Sequence, residues 1–255
     1  MKINEICKIC GKELIKINNT HLKTHDMTFT DYYSMKNRDA IFSYLVGCWI
    51  GDGCKTSNHF GIYIEKEYNN KMVSLVKKVM QEDVDYRYSH GCLMINKTQA
   101  LIEVIRGEIN NPQYIYKFPE SFIAGFLDTD GWVQLNDKTG KNCDSRVIVL
   151  FFSNTNKRYI YLLSKCLNKL KIPYGINEKG KNLVGSQKII CGDLCTVNYP
   201  IYELYIPRII NNYLLSQKIL PFMIQKKKIQ RILSFLDYCN NKSLKIKRYK
   251  KDGKR

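Results

Sequence analysis

Two aspartates carry the chemistry that this sequence offers most directly. One closes the stretch Tyr44-Leu-Val-Gly-Cys-Trp-Ile-Gly-Asp52-Gly53, the other closes Phe122-Ile-Ala-Gly-Phe-Leu-Asp-Thr-Asp130-Gly131, and the two are 78 residues apart. A single apolar helix that stops at Asp-Gly is ordinary, because glycine readily takes the left-handed C-terminal position. A matched pair is harder to dismiss. Gly47 and Gly51 are four apart, as are Gly125 and Thr129, so each helix shows small residues on one face. Two backbones can approach closely along such faces. Packed that way, their C-terminal ends meet, and Asp52 and Asp130 lie side by side among exposed carbonyls and two negative dipole ends. That concentration of negative charge calls for a cation. Hard oxygen ligands favour Mg²⁺, with Mn²⁺ as the substitute. Carboxylate-held divalent ions activate water and hold a leaving oxygen in phosphodiester hydrolysis.

A second constellation stands at the N-terminus. Cys7-x2-Cys10 is followed by His21-x3-His25, with ten residues between Cys10 and His21. Two thiolates and two imidazoles at such spacings can close a tetrahedral Zn²⁺ site, and four unrelated residues are the other reading. The intervening loop is shorter than is usual in nucleic-acid-binding fingers. So small a segment buries little core, so bound metal would supply much of its folding energy. Cys143, Cys191 and Cys195 read as packing rather than as a second metal site.

The elements around the two Asp-Gly stretches repeat. After Gly53 the sequence reads as a hairpin to Glu65, a helix from Asn70 to Gln81, a hairpin from Tyr86 to Asn96 turning at His90-Gly91, and a helix from Thr98 to Glu108. After Gly131 come strands from Trp132 to Ser153, a helix from Lys157 to Leu170, a long hairpin with an insertion from Tyr174 to Ile206, and a helix from Ile209 to Gln217. A further helix spans Ile224 to Tyr238. The pattern is α-β-β-α-β-β-α twice, an α+β fold too long in period for a solenoid. The expected divisions are a zinc-finger-like segment 1–36, a first repeat 39–116, a second repeat 117–239 and a basic tail 240–255.

Charge narrows the partners. The 255 residues hold 41 Lys and Arg against 23 Asp and Glu, a net charge of +18, which points to a polyanion and first to nucleic acid. No apolar run reaches the length of a membrane span, and the N-terminus shows neither a signal-peptide core nor a myristoylation glycine. An intracellular protein with no membrane partner is expected, its cysteines thiols or metal ligands.

The paired stretches resemble the two motifs of single-chain LAGLIDADG homing endonucleases, and the segment from His21 to Thr28 resembles small fingers attached to mobile-element nucleases. The first resemblance spans about residues 40–238. It implies two pseudo-symmetric repeats forming a DNA-binding saddle, a monomer acting on double-stranded DNA, and catalytic Asp52 and Asp130. It implies that the main-chain carbonyls of Gly51 and Thr129 join the carboxylates as metal ligands. It also implies lysines near the cut phosphates: Lys117 in Lys117-Phe-Pro-Glu120, and Lys226 in Pro221-Phe-Met-Ile-Gln-Lys226, with Lys218 and Lys227 as competitors. The first motif carries Ile50 where the second has Asp128, a position that is structural in the family. Two other roles occur on this fold: an intron maturase, whose partner is intron RNA, and a DNA-binding regulator that does not cut. Both acidic residues are present, which favours the nuclease. The termini lack the signature of an intein.

In the major groove, Arg favours guanine, and Gln or Asn favours adenine. The expected base or phosphate readers are Lys55, Ser57, Tyr63, Arg87, Gln134, Asn136, Lys138, Arg146, Lys179, Lys181, Gln187 and Lys188. Strand register decides which of them share a face, because successive side chains alternate.

Overall fold

The computed structural model describes residues 5–6, 13–14, 20–21, 38–55, 57–138, 145–181, 184–190, 193–196 and 198–241. Two short strands, β1 (Glu5–Ile6) and β2 (Glu13–Leu14), pair antiparallel on either side of the Cys7-x2-Cys10 stretch. Helix α1 (Arg38–Asp52) leads to β3 (Phe60–Tyr63), α2 (Asn69–Met80), the hairpin β4 (Tyr86–Ser89) and β5 (Cys92–Ile95), and α3 (Gln99–Asn110). A short helix α4 (Tyr114–Lys117) precedes α5 (Pro119–Asp128), β6 (Gly131–Lys138), β7 (Ser145–Asn154), α6 (Lys157–Lys169) and β8 (Gly175–Lys179). Then follow the inserted hairpin β9 (Gln187–Ile190) and β10 (Asp193–Thr196), β11 (Ile201–Tyr205), α7 (Ile209–Ile219) and α8 (Lys226–Asn241). The main sheets have strand orders β3-β5-β4 and β6-β7-β11-β8, antiparallel throughout.

Helices α1 and α5 form the central contact, and small residues make it possible. A methyl group added at Gly47 would strike the carbonyl of Phe122, and one added at Gly125 would strike the carbonyl of Tyr44. One added at Gly51 would strike the Thr129 side chain. Around this axis Leu45, Ile50, Phe122, Phe126 and Leu127 are fully buried, which fits two helices apolar on nearly every side rather than on one stripe. Each sheet turns one face to that core, through Ile62, Leu93 and Ile95 in the first and Val133, Ile148, Leu150, Phe152 and Leu204 in the second. The opposite face of each sheet is open.

The two repeats are unequal. In the second, β6 pairs with β7 over eight residues, from Gly131↔Phe152 to Lys138↔Ser145. In the first, the expected hairpin to Glu65 is reduced, among the described residues, to a single bridge from Gly53 to Ile62 of β3. The polar run Ser57-Asn-His59 makes a tight connection instead, with the Ser57 hydroxyl accepting from His59 N–H at 2.9 Å. The hairpin at His90-Gly91 forms as expected, both residues having positive φ, as a two-residue hairpin turn requires.

Candidate active site

Asp52 and Asp130 come together where α1 and α5 end, at an open cleft of about 520 Å³ lined by Ile50, Gly51, Lys55, Asp130, Ser153 and Asn154 among others. Both carboxyl groups are partly buried, and the charge of Asp52 acts on Asp130. Burial, and then the charge of Asp52, push the Asp130 carboxyl up to about 6, while the Asn154 amide, Lys55 and Lys228 pull it down. Asp52 is raised in the same way, mainly by burial, against the attraction of Lys228 and Lys55.

Two lysines balance this pair, each seated on a helix end. Lys228 Nζ donates to the carbonyls of Leu127 at 2.7 Å, Asp128 at 3.0 Å and Thr129 at 3.2 Å. Lys55 Nζ donates to the carbonyls of Trp49 and Ile50 and lies 4.1 Å from the centre of the Trp49 ring. Aligned motif against motif, Trp49 and Ile50 match Leu127 and Asp128, so the two ammonium groups hold equivalent places. They arrive by different routes, Lys55 from the residues just after α1 and Lys228 from the first turn of α8. Desolvation lowers Lys55 to about 8, against the opposing pull of Asp130 and Asp52, and lowers Lys228 as well.

The other expected lysines lie elsewhere. Lys117 Nζ pairs with Asp39 at 3.1 Å, at the far end of α1 from Asp52, a distance of about 20 Å along a helix of that length. Lys226 is exposed, its ammonium 3.9 Å from Glu67 and its N–H bonded to Tyr68 Oη at 3.1 Å. Lys227 pairs with Glu65 at 3.3 Å. Lys228 was the missed residue, and helix phase marks it. It stands four residues before Ile232, seven before Phe235 and eleven before Cys239, all buried, so it heads the inward stripe of α8 while Lys226 and Lys227 fall outside it.

Two further residues complete the surroundings. Asn154 Nδ2 donates to Asp130 Oδ2 at 2.6 Å and lies 3.5 Å from the carbonyl of Ile50. The bridges Gly53↔Ile62 and Gly131↔Phe152 make Ile64 its counterpart, so only the Asp130 side has this amide. Asp128 is buried, its Oδ2 accepting from Tyr44 Oη at 2.7 Å and from Ile224 N–H at 2.7 Å. It thereby ties the segment ahead of α8, and so Lys228, to the end of α5. Burial above all raises the Asp128 carboxyl to about 6. At the matching place Ile50 is fully buried and apolar.

A divalent ion fits this chemistry: two adjacent carboxylates and exposed helix-end carbonyls are hard oxygen donors, and Mg²⁺ commonly takes one or two carboxylates and completes its shell with water. Of the expected main-chain ligands, the Thr129 carbonyl already accepts from Lys228. Among the described residues no cluster of three or more His, Cys, Asp or Glu gathers. Of the zinc set, Cys7, Cys10 and His25 lie outside the described residues; His21 is within them.

Register sorts the expected DNA readers. Gln134 and Asn136 share the open face of the second sheet, opposite Val149 and Val147. Tyr63 and Arg87 share the open face of the first. Lys179 reaches Glu203 at 2.7 Å. Lys181 is exposed just ahead of the inserted hairpin, and Gln187 is exposed at the start of its first strand, β9. Lys138, Arg146 and Lys188 stand in β6, β7 and β9, and in the strand register Arg146 lies opposite Asp137, one step off the Asn136↔Val147 position. Ser57 sits in the turn before β3 rather than on a sheet, and Lys55 belongs to the acidic pair.

The fold has counterparts among known proteins. Residues 117–199 match a family described as the LAGLIDADG-like domain. No curated protein matches significantly. Among solved structures, one from a set of mesophilic variants of the homing endonuclease I-DmoI superposes with a TM-score of 0.50 at 16% identity, over 76% of this chain and 98% of that one. A structure of I-DmoI in complex with DNA and Ca gives 0.48 at 17% identity, over 72% and 91%. The N-terminal LAGLIDADG domain of DUF199/WhiA gives 0.45 at 15%, over 80% and 96%. Residues 117–199 are thus similar to a LAGLIDADG-like domain, and the chain has a mixed α+β fold with two main antiparallel sheets. That fold is shared with I-DmoI. No described helix is long and apolar enough to cross a membrane.

Proposed function

We propose that this protein is a metal-dependent, site-specific DNA endonuclease of the LAGLIDADG type, acting as a monomer on a long duplex target. One observation carries the reading: two partly buried carboxylates, Asp52 and Asp130, meet at paired helix ends with a lysine seated on each end. A purely structural pair of helices has no use for that charge arrangement, which burial makes unfavourable for the carboxylates and the ammonium groups alike.

Asp52 and Asp130 are the residues to hold Mg²⁺ or Mn²⁺, with main-chain oxygen from Gly51 and Thr129 beside them. The ion, when bound, supplies Lewis acidity for phosphodiester hydrolysis. Asn154 fixes the orientation of Asp130 and favours its ionised form. Lys55 and Lys228 offset the charge of the carboxylates and stand ready to face a scissile phosphate. The open sheet faces present Tyr63, Arg87, Gln134 and Asn136 to the groove, and the overall positive charge supplies affinity for the backbone. An N-terminal Zn²⁺ site on Cys7, Cys10, His21 and His25 would extend the footprint at one flank or cap the fold.

The test is incubation of a randomised duplex library with wild-type protein and Mg²⁺, beside the Asp52→Asn/Asp130→Asn double variant. Recovery of one long cut site by the wild type alone supports the proposal. Tight binding of structured intron RNA or of duplex DNA, with no cutting by either protein, moves the role to a maturase or a regulator.

A further inference from the structure

The open face of the second sheet is more apolar than a phosphate-binding surface needs to be. Ser153 lines the cleft of the acidic pair, so the face it belongs to is the one that continues outward from that cleft. Along β7 the residues on that face are Val147, Val149 and Phe151, alternating with the buried Ile148, Leu150 and Phe152. Across on β6 stand Asn136, Gln134 and Trp132, in register as Asn136↔Val147, Gln134↔Val149 and Trp132↔Phe151. Trp132 is 64% exposed. Gln134 Nε2 donates to Asn136 Oδ1 at 3.3 Å, so the two amides are already aligned along the strand. Across the next strand pair Glu203 is neutralised by Lys179.

We infer that this face is built to read consecutive A·T base pairs, a deepening that rests on the proposed DNA-binding role. A carboxamide pairs with the N6 and N7 edge of adenine, and the thymine of the same pair shows its C5 methyl a few ångströms away. Directly opposed residues on paired strands hold their Cβ atoms about 5 Å apart. Gln134 beside Val149, and Asn136 beside Val147, thus offer an amide and a branched methyl side by side, twice over. G·C pairs would leave the valines without a methyl to cover and set both amides against the wrong edge pattern. Phe151 and Trp132 extend the apolar strip toward the acidic pair, giving thymine methyls further cover. The continuity with the cleft and the excess positive charge of the chain make duplex DNA the occupant rather than a protein.

The experiment selects bound duplexes from a randomised library with the full chain, with Ca²⁺ in place of Mg²⁺. The recovered duplex is then resynthesised with deoxyuridine for thymidine, which removes only the methyl, one half at a time. The inference expects an A·T run in one half of the site. It expects binding roughly fourfold weaker for each contacted methyl removed there, and no such loss in the Val147→Ser/Val149→Ser variant. The uridine substitution leaves the protein untouched, so a folding defect in that variant cannot imitate the result. A G·C-rich half-site, or equal binding of thymidine and deoxyuridine duplexes in both halves, overturns the inference while leaving the DNA-binding role standing. Concentration-dependent dimers that the double variant abolishes, without any uridine effect, also overturn it. Failure to enrich any duplex counts instead against the DNA-binding role itself.

Discussion

Replacing Lys228 by methionine keeps the length and apolar character of the side chain and removes only its charge and donors. Three carbonyls at the end of α5 lose their shared partner, and Asp52 and Asp130 lose one of the two cations that offset them. A hydrogen bond to a charged group contributes about 1.5–3 kcal/mol. The three bonds here share one ammonium that also resists desolvation, so the net loss should be about 2–3 kcal/mol rather than the sum. For a chain of this size that corresponds to a fall of about 4–12 °C in melting temperature. Cutting should fall by about 10²–10³-fold, the usual effect of removing one group that stabilises developing charge. The assay is thermal melting together with cleavage of the selected duplex, with Lys226→Met in parallel. Lys226→Met should melt and cut as the wild type does, because among the described residues its ammonium reaches only the exposed Glu67. If Lys226→Met abolishes cutting while Lys228→Met leaves it intact, the assignment of the lysines is wrong.

Other perturbations probe the supports of the site. Gly125→Ala should destabilise the protein by about 2 kcal/mol or more, because the new methyl meets the Tyr44 carbonyl; Gly107→Ala, where nothing lies nearby, should stabilise α3 by about 0.5–1 kcal/mol, and chemical denaturation compares the two. Asn154→Ala removes the 2.6 Å hydrogen bond that favours ionised Asp130, so the acid limb of the pH–rate profile for cutting should move to higher pH; an unmoved limb would deny Asn154 that role. In metal-free protein the Asp128 carboxyl titrates near 6 when folded against an ordinary value of 3.8. The folded state then binds the extra proton between about pH 4 and 6, so this group's contribution to stability falls as pH rises through that window. Asp128→Asn should flatten that slope in melting curves recorded across it.

The helix pair at the centre was legible because close packing leaves a residue-level mark. Only small residues permit the approach seen at Gly47 and Gly125, and the Asp-Gly ends follow directly from the motif. The alternation within each strand and the His90-Gly91 turn were legible for similar local reasons. What the sequence hid depends on register and phase. Asn154 faces Asp130 only because β7 pairs with β6 in one particular register, and its counterpart Ile64 shows that the repeat does not require an amide there. Lys228 is one of three consecutive lysines, and motif spacing selected Lys226. The distinguishing signal was the inward stripe through Ile232, Phe235 and Cys239, which depends on where α8 begins. Lys117 stands two residues before Pro119, which starts α5, and it meets Asp39, a contact between residues 78 apart that no local pattern announces.

The central claim is that Asp52 and Asp130 do the cutting and that the sheets do the binding. It is tested most directly by measuring both on one selected duplex, with Mg²⁺, for the wild type, Asp52→Asn and Asp130→Asn. The account predicts that each variant binds the duplex about as tightly as the wild type, because neither carboxylate belongs to a sheet face, while double-strand cutting is lost. Cutting retained at the wild-type rate in both variants would contradict it.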